Sequence, residues 1–308
     1  MEASLVNWFG KRLPRQPSQR VGIGDDAAVL RWGAGPDCVV TVDVVMDGVD
    51  FDLATVDPRR VGRKAIAINL SDLAAMAATP VAAVIGLVLP REGGAALARE
   101  LYEGLIPLAE QYQVALAGGD VNSWDGQLAI SVTVLGQATD RGALTRSGAK
   151  PGDQIIVTGE FGGSILGRHL DFEPRVQEAL KLHREFDIHA AIDVSDGLSL
   201  DLSRMAEASG CGAVVHLTRV PISQAAHARS KETGAAPMEH ALSDGEDFEL
   251  ILAIPPKAAA ALLASQPLPG VPLTCIGELT DDGALWQVDD AGVRSRLIPK
   301  GYEHRLSP

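Results

Sequence analysis

The sequence predicts a mixed α/β protein of two α/β domains, each on a largely antiparallel or mixed sheet rather than one doubly wound parallel sheet. Three observations carry this. Short apolar runs of strand length alternate with stretches of helical spacing along the whole chain. The order strand, acidic turn, long helix occurs in both halves. A turn-rich basic stretch, residues 140–153 (DRGALTRSGAKPGD), separates the halves, and a new strand starts directly after it. With 308 residues, 46% of them hydrophobic, the chain can bury two cores. The expected domains are residues 1–138 and 139–308.

In the first half, residues 5–9 read as a short helical start and 11–20 as a basic, Pro-containing connection. Residues 21–28 (VGIGDDAA) form a glycine-rich turn with adjacent acids. Residues 38–43 (CVVTVD) are a strand ending on an acid. Residues 57–78 are a helix, almost wholly apolar from Ala65 onward and closed by Thr79-Pro80. A helix apolar on nearly every side belongs in an interior. A strand over 81–89, a helix over 94–112 interrupted by Pro107, and a strand over 114–117 running into Gly118-Gly119-Asp120 follow. Residues 128–137 alternate as a half-buried strand. In the second half, strands are expected at 154–158, 190–194, 213–217, 273–279 and after 249. Helices are expected at 163–170, 175–186, 198–209, 223–233 and 256–264.

Composition excludes several function classes. A formal net charge of −13 argues against a nucleic-acid or anionic-membrane surface. No apolar run is long enough for a bilayer and no signal peptide is evident, so a soluble, cytoplasmic protein is expected. The three cysteines are widely separated, which suits a reducing compartment and no thiolate metal site.

The chemistry should lie with aspartates that recur at strand ends and glycine turns: Asp25, Asp26, Asp43, Asp120, Asp193 and Asp196. Asp72 joins them in the middle of the apolar helix. A buried carboxylate must be protonated, paired with a cation or bound to a metal, so Asp72 is either half of an ion pair or a ligand. Strand ends converge at one sheet edge, where α/β proteins bind ligands. That many carboxylates need counter-charge, and all-oxygen ligation suits Mg²⁺ far better than zinc. Mg²⁺ held by carboxylates together with substrate phosphates points to a nucleotide polyphosphate. No Gly-x-x-x-x-Gly-Lys-Ser/Thr loop is present, so metals should neutralise most of the phosphate charge, helped by Arg146 and Lys150.

Six blocks then match one family in order over nearly the whole length. They are residues 22–27 (GIGDDA), 64–76 (KAIAINLSDLAAM), 118–120 (GGD), 145–153 (TRSGAKPGD), 192–198 (IDVSDGL) and 245–250 (GEDFEL). The chain resembles the thiamine-monophosphate kinases, of the superfamily that includes aminoimidazole ribonucleotide synthetase. The resemblance implies transfer of the ATP γ-phosphoryl group to thiamine monophosphate, several Mg²⁺ ions, and a homodimer formed by the N-terminal domain. Position by position, it implies Asp26, Thr41, Asp43, Asp72, Asp120, Asp193 and Asp196 as Mg²⁺ ligands. Of these Asp72, Asp120 and Asp193 are central to catalysis. It implies Tyr102, Gly119, Asp120, Arg146 and Ser195 as ATP contacts, and Glu246 and Tyr302 as contacts to the thiamine moiety.

Departures from the family pattern cluster on the acceptor side. Asp50 stands where a substrate-contacting His is expected, and Val42 where a metal-binding Thr is usual. Gly163 replaces an Asp, and Asp244 replaces a Gly. Residues 169–175 match a His-Leu-Arg-Pro-x-Pro-Arg block only in part, after a shortened segment. The alternatives are a related ATP-dependent phosphotransferase or synthetase with another acceptor, and a non-catalytic nucleotide-binding dimer.

Overall fold

The computed structural model describes residues 6, 8, 11 and 17–304. Of the helix expected over 5–9, Val6 and Trp8 are among these and are helical; the rest of it and most of the connection after it lie outside. Two mixed sheets organise the rest. The first has six strands: β1 (Gln19–Val21), β2 (Ala28–Leu30), β3 (Cys38–Met46), β4 (Thr79–Pro90), β5 (Ala115–Trp124) and β6 (Ala129–Gln137). Their order is β1-β2-β3-β6-β4-β5, and only β4 and β5 run parallel. The second sheet has seven strands and includes β7 (Gln154–Thr158), β8 (Ala190–Asp193), β9 (Gly212–His216), β10 (Leu250–Ile254) and β11 (Leu273–Thr280). It is antiparallel except where β9 meets Leu285–Val288.

The helix that was read as interior is α1 (Pro58–Ala75). Asp57 caps it by accepting the Arg59 amide at 2.9 Å, and Pro58 occupies the first turn, where its missing N–H costs nothing. It stops at Ala75, three residues early, because Ala77 turns to φ +47° and Thr79 already starts β4. On α1 Val61, Ala65, Ile66, Leu70 and Leu73 are buried. Helix α2 (Gly94–Gln111) crosses it so closely that a Cβ at Gly62 would lie 1.9 Å from the Leu101 carbonyl oxygen. One at Gly104 would lie 1.7 Å from that of Arg59. Only glycine permits that approach.

Helix α1 also packs against the second half, where it meets β8 and the helices α3 (Arg168–Asp171) and α4 (Val176–Glu185). Arg60 pairs with Asp171 at 2.5 Å and Arg63 with Glu173 at 3.2 Å. One helix therefore faces both sheets.

Three local expectations change. Helix α2 continues through Pro107 rather than breaking there. Strand β5 does not end at Ala117: it runs through Gly118-Gly119-Asp120 to Trp124 as an exposed edge strand. A helix over Pro237–Ser243, started by Pro237 in its first turn, had no periodic signal in so short a segment.

Candidate active site

Asp72 points from the last turn of α1 toward β3, where the Thr41 hydroxyl donates to its Oδ2. Alternation along β3 puts Thr41 and Asp43 on that same face. Asp193 ends β8, and its Oδ2 accepts the Ser71 hydroxyl at 2.6 Å, so consecutive residues of α1 reach different strands. Asp26, in the glycine-rich turn before β2, completes the group. Oxygens of Asp26, Asp72 and Asp193 all lie within 4.8 Å of one another. Arg146 reaches in from the loop between the sheets, its Nη2 donating to Asp26 Oδ1 at 2.7 Å, while its backbone amide donates to Asp25. Ser209 holds that loop by bonding the Arg146 carbonyl and the Ala149 amide.

Burial pushes the Asp72 and Asp193 carboxyls well above their ordinary range, and neighbouring aspartates push them further. Burial likewise raises Asp25 and Asp43 to about 6. Burial opposes the charge on Arg146, but Asp26 beside it outweighs that and keeps the guanidinium charged. One guanidinium does not balance this many carboxylates. Asp26 Oδ2 is buried with no hydrogen-bond partner. An orphaned buried oxygen within a cluster of oxygen donors fits a hard divalent cation. The ion-pair reading of Asp72 finds no support, since its neighbours are a hydroxyl and other acids.

Two cavities open from this cluster. One, of about 520 Å³, is lined by Asp26, Thr41, Asp43, Asp72, Arg146 and Arg204. The other, of about 460 Å³, is lined by Asp50, Lys64, Arg229, Asp244, Glu246 and Tyr302. Asp43, Ser195 and Asp196 line both. Glu246 and Phe248 have φ of +52° and +51°, a conformation L-residues seldom adopt without surrounding constraint. The Glu246 amide donates to the Ser195 carbonyl at 2.6 Å and the Tyr302 amide to that of Asp196 at 2.9 Å. The Ile192–Leu198 block thus supplies carboxylates to one cavity and backbone anchors to the other.

Two family models match the chain: the AIR synthase related protein N-terminal domain over residues 24–138, and the corresponding C-terminal domain over 150–286. A thiamine-monophosphate kinase of Rhodopirellula baltica is 46% identical over 99% of this chain and 97% of its own. That of Escherichia coli K12 is 37% identical over 100% and 99%. The chain belongs to the thiamine-monophosphate kinase family. A solved structure of AaThiL complexed with AMPPCP and TMP superposes with a TM-score of 0.84, at 26% identity over 99% of this chain and 97% of that one.

Compared with the thiamine-monophosphate kinase pattern, two departures touch each other. The Gly163 amide donates to Asp244 Oδ2 at 2.9 Å, and a Cβ at Gly163 would lie 2.3 Å from the Ala225 backbone. Asp50 turns its carboxylate onto its own turn, accepting the Met46 amide at 2.7 Å. Val42 points away from the cluster and is exposed. Lys150 is exposed and lines neither cavity.

Tyr102, Gly119 and Asp120 are not brought to the cluster within one chain. Asp43 pairs with Val132, Val132 with Ile85 and Ile85 with Gly119, which puts Gly119 level with Asp43 but three strands away. That is about 14 Å. Sequence reasoning missed Lys64, Arg204 and Asp201. Arg204 bridges Asp196 and Asp201 at 2.5 and 2.7 Å, and Asp201 accepts the Asp196 and Gly197 amides. The signal for Lys64 was present, since Lys64, Ile68 and Asp72 share one helix face at i, i+4 and i+8.

Proposed function

We infer that the protein transfers the γ-phosphoryl group of ATP to thiamine monophosphate, giving ADP and thiamine diphosphate. The observation that carries this is the shared wall of the two cavities, because a nucleotide on one side and a phosphorylated acceptor on the other meet at Asp43, Ser195 and Asp196. Asp26, Thr41, Asp43, Asp72, Asp193 and Asp196 hold Mg²⁺. Bound there, Mg²⁺ neutralises polyphosphate charge and orients the phosphates for in-line displacement. Arg146 and Ser195 contact ATP, and Asp50, Glu246 and Tyr302 flank the acceptor. An oxygen of the acceptor's phosphate forms the new bond to the γ-phosphorus as the bond to the β–γ bridging oxygen breaks. That oxygen is already anionic, so no general base is required, and the protein's contribution is positioning and charge neutralisation.

The functional unit is a homodimer. Val42, Val44 and Met46 of β3 and Val84 and Val88 of β4 leave one face of the first sheet open and apolar. Such a face suits a second copy. The second copy also supplies Tyr102, Gly119 and Asp120, which stand too far from Asp43 to share an ion with it in one chain. The functional division at 138/139 follows, with the N-terminal part carrying the pairing face and the C-terminal part closing both cavities. The test is turnover by purified protein with ATP and Mg²⁺, following ADP and thiamine diphosphate across a set of phosphorylated acceptors. Rapid, stoichiometric formation of both products from thiamine monophosphate is expected. Faster ADP release with a different acceptor overturns the assignment.

A further inference from the structure

Lys64 is among the largest side chains that are almost fully buried, at 1% exposure, and it sits on α1 at the start of the helix's apolar run. A lysine ammonium in such a place is costly unless partnered. Its Nζ donates to Glu246 Oε1 at 2.5 Å and to the Asp50 carbonyl at 3.0 Å. Both partners line the acceptor cavity, and they come from opposite halves of the molecule. Glu246 is also one of the two residues near the cavity held at positive φ without being glycine. Its Oε2 takes no hydrogen bond among the described residues. The ammonium therefore grips one oxygen of the Glu246 carboxylate and leaves the other for a ligand.

We propose that Lys64 is the positioning and specificity-determining residue of the acceptor cavity. It fixes Glu246 so that its free oxygen selects an acceptor bearing a ring amine or a cationic ring; it reaches the acceptor through Glu246, while its second bond holds the backbone carbonyl of Asp50. The rigid helix that carries it also carries Asp72 two turns away, about 12 Å along the axis, which fixes the spacing between acceptor recognition and the metal cluster. Arg229, which also lines this cavity, is half-buried and pairs with Glu232, so it does not duplicate the role. The inference rests on the acceptor reading given above.

The test compares wild type, Lys64→Met, Glu246→Gln and the double variant by separate KM values for thiamine monophosphate and ATP. Loss of a charge-assisted bond to Glu246 should raise the acceptor KM of Lys64→Met about 10- to 100-fold and leave the KM for ATP in place. The double variant leaves neither charge unpaired, so it remains assayable if Lys64→Met alone melts too low. Its acceptor KM should equal that of Glu246→Gln. A further rise in the double variant, or an unmoved acceptor KM in folded Lys64→Met, overturns the role of Lys64 while the reaction stands. Wild type that turns over no thiamine monophosphate overturns the acceptor reading, and this inference with it.

Discussion

The two cavities are built on different principles. The side that holds Asp26, Asp72 and Asp193 takes its residues largely from regular elements: a helix interior, the end of β8 and the face of β3. Its carboxylates outnumber its cations, and burial raises their pKa values. The side that holds Asp50, Glu246 and Tyr302 joins turns and a C-terminal segment to α1 and β3, with two residues at positive φ and a buried Lys64 paired to a partly exposed Glu246. The first side is geometrically rigid and electrostatically incomplete, a donor set that a cation would complete. The second is already charge-paired and depends on loop conformation, so its composition can drift while the fold persists. Asp50 and Asp244 both line that second side.

The largest effect should come from the incomplete side. Asp72→Asn should lower kcat by about 100-fold or more, because it removes a buried charge that orients the transferring group. The metal-free variant should melt no lower than wild type, since Asn relieves repulsion among Asp43, Asp193 and Asp26. A kcat near wild type, or a large fall in melting temperature, would erase the contrast between the two sides.

Arg146→Ala comes next. It leaves the buried Asp26 carboxylate without its cation, and breaking a buried pair costs about 3–5 kcal/mol. Denaturant unfolding without metal should show the loss, and saturating Mg²⁺ should restore part of it. A loss that is equal with and without Mg²⁺ would show that Arg146 and the metal do not serve the same charge.

The third effect is a pH dependence. Asp25 and Asp43 are raised from 3.8 to about 6 in the folded chain. A raised carboxyl stabilises the fold fully below the unfolded value near 4, and this stabilisation is lost as pH rises through 6. In chelator, the contribution of these groups should fall between pH 4 and 6, and Mg²⁺ should suppress the fall. The difference between the two melting curves against pH should therefore widen toward pH 7. Parallel curves would argue that no cation meets this cluster.

The smallest effect belongs to the acceptor side. Asn at position 50 can still accept the Met46 amide, so Asp50→Asn should keep the turn and remove one negative charge. At roughly 1 kcal/mol for charges about 4 Å apart in water, the KM for thiamine monophosphate should fall about fivefold, with kcat unchanged. An unchanged KM would leave Asp50 a turn residue only, closing its own loop through Met46.

Much of this was legible in the residues. The apolar run from Ala65 fixes α1 as interior, Asp57-Pro58 starts it, and Asp72 within it demands a partner whatever the fold. The strand read as ending on Asp43 instead runs on to Met46, so Asp43 lies mid-strand, and it is the pairing with β6 that sets Thr41 and Asp43 on one inward face. Gly118-Gly119-Asp120 misled because glycines ordinarily signal a turn. Here Gly119 serves instead where a Cβ would strike the Ile85 carbonyl oxygen at 1.9 Å across the β4–β5 pair. That is a contact between strands distant in sequence.

Local chemistry by itself determined most of the elements, the recurring aspartates and the acidic charge that calls for a counter-charge. These follow from periodicity, capping and the cost of burying charge, all of which act over a few residues. Tertiary structure alone decided which aspartates share a site, that Asp120 stands three strands from Asp43, and that the buried Lys64 meets Glu246 across 182 positions of chain. Pairings at that separation are set by how two sheets close on one helix, and no local pattern encodes the distance between them.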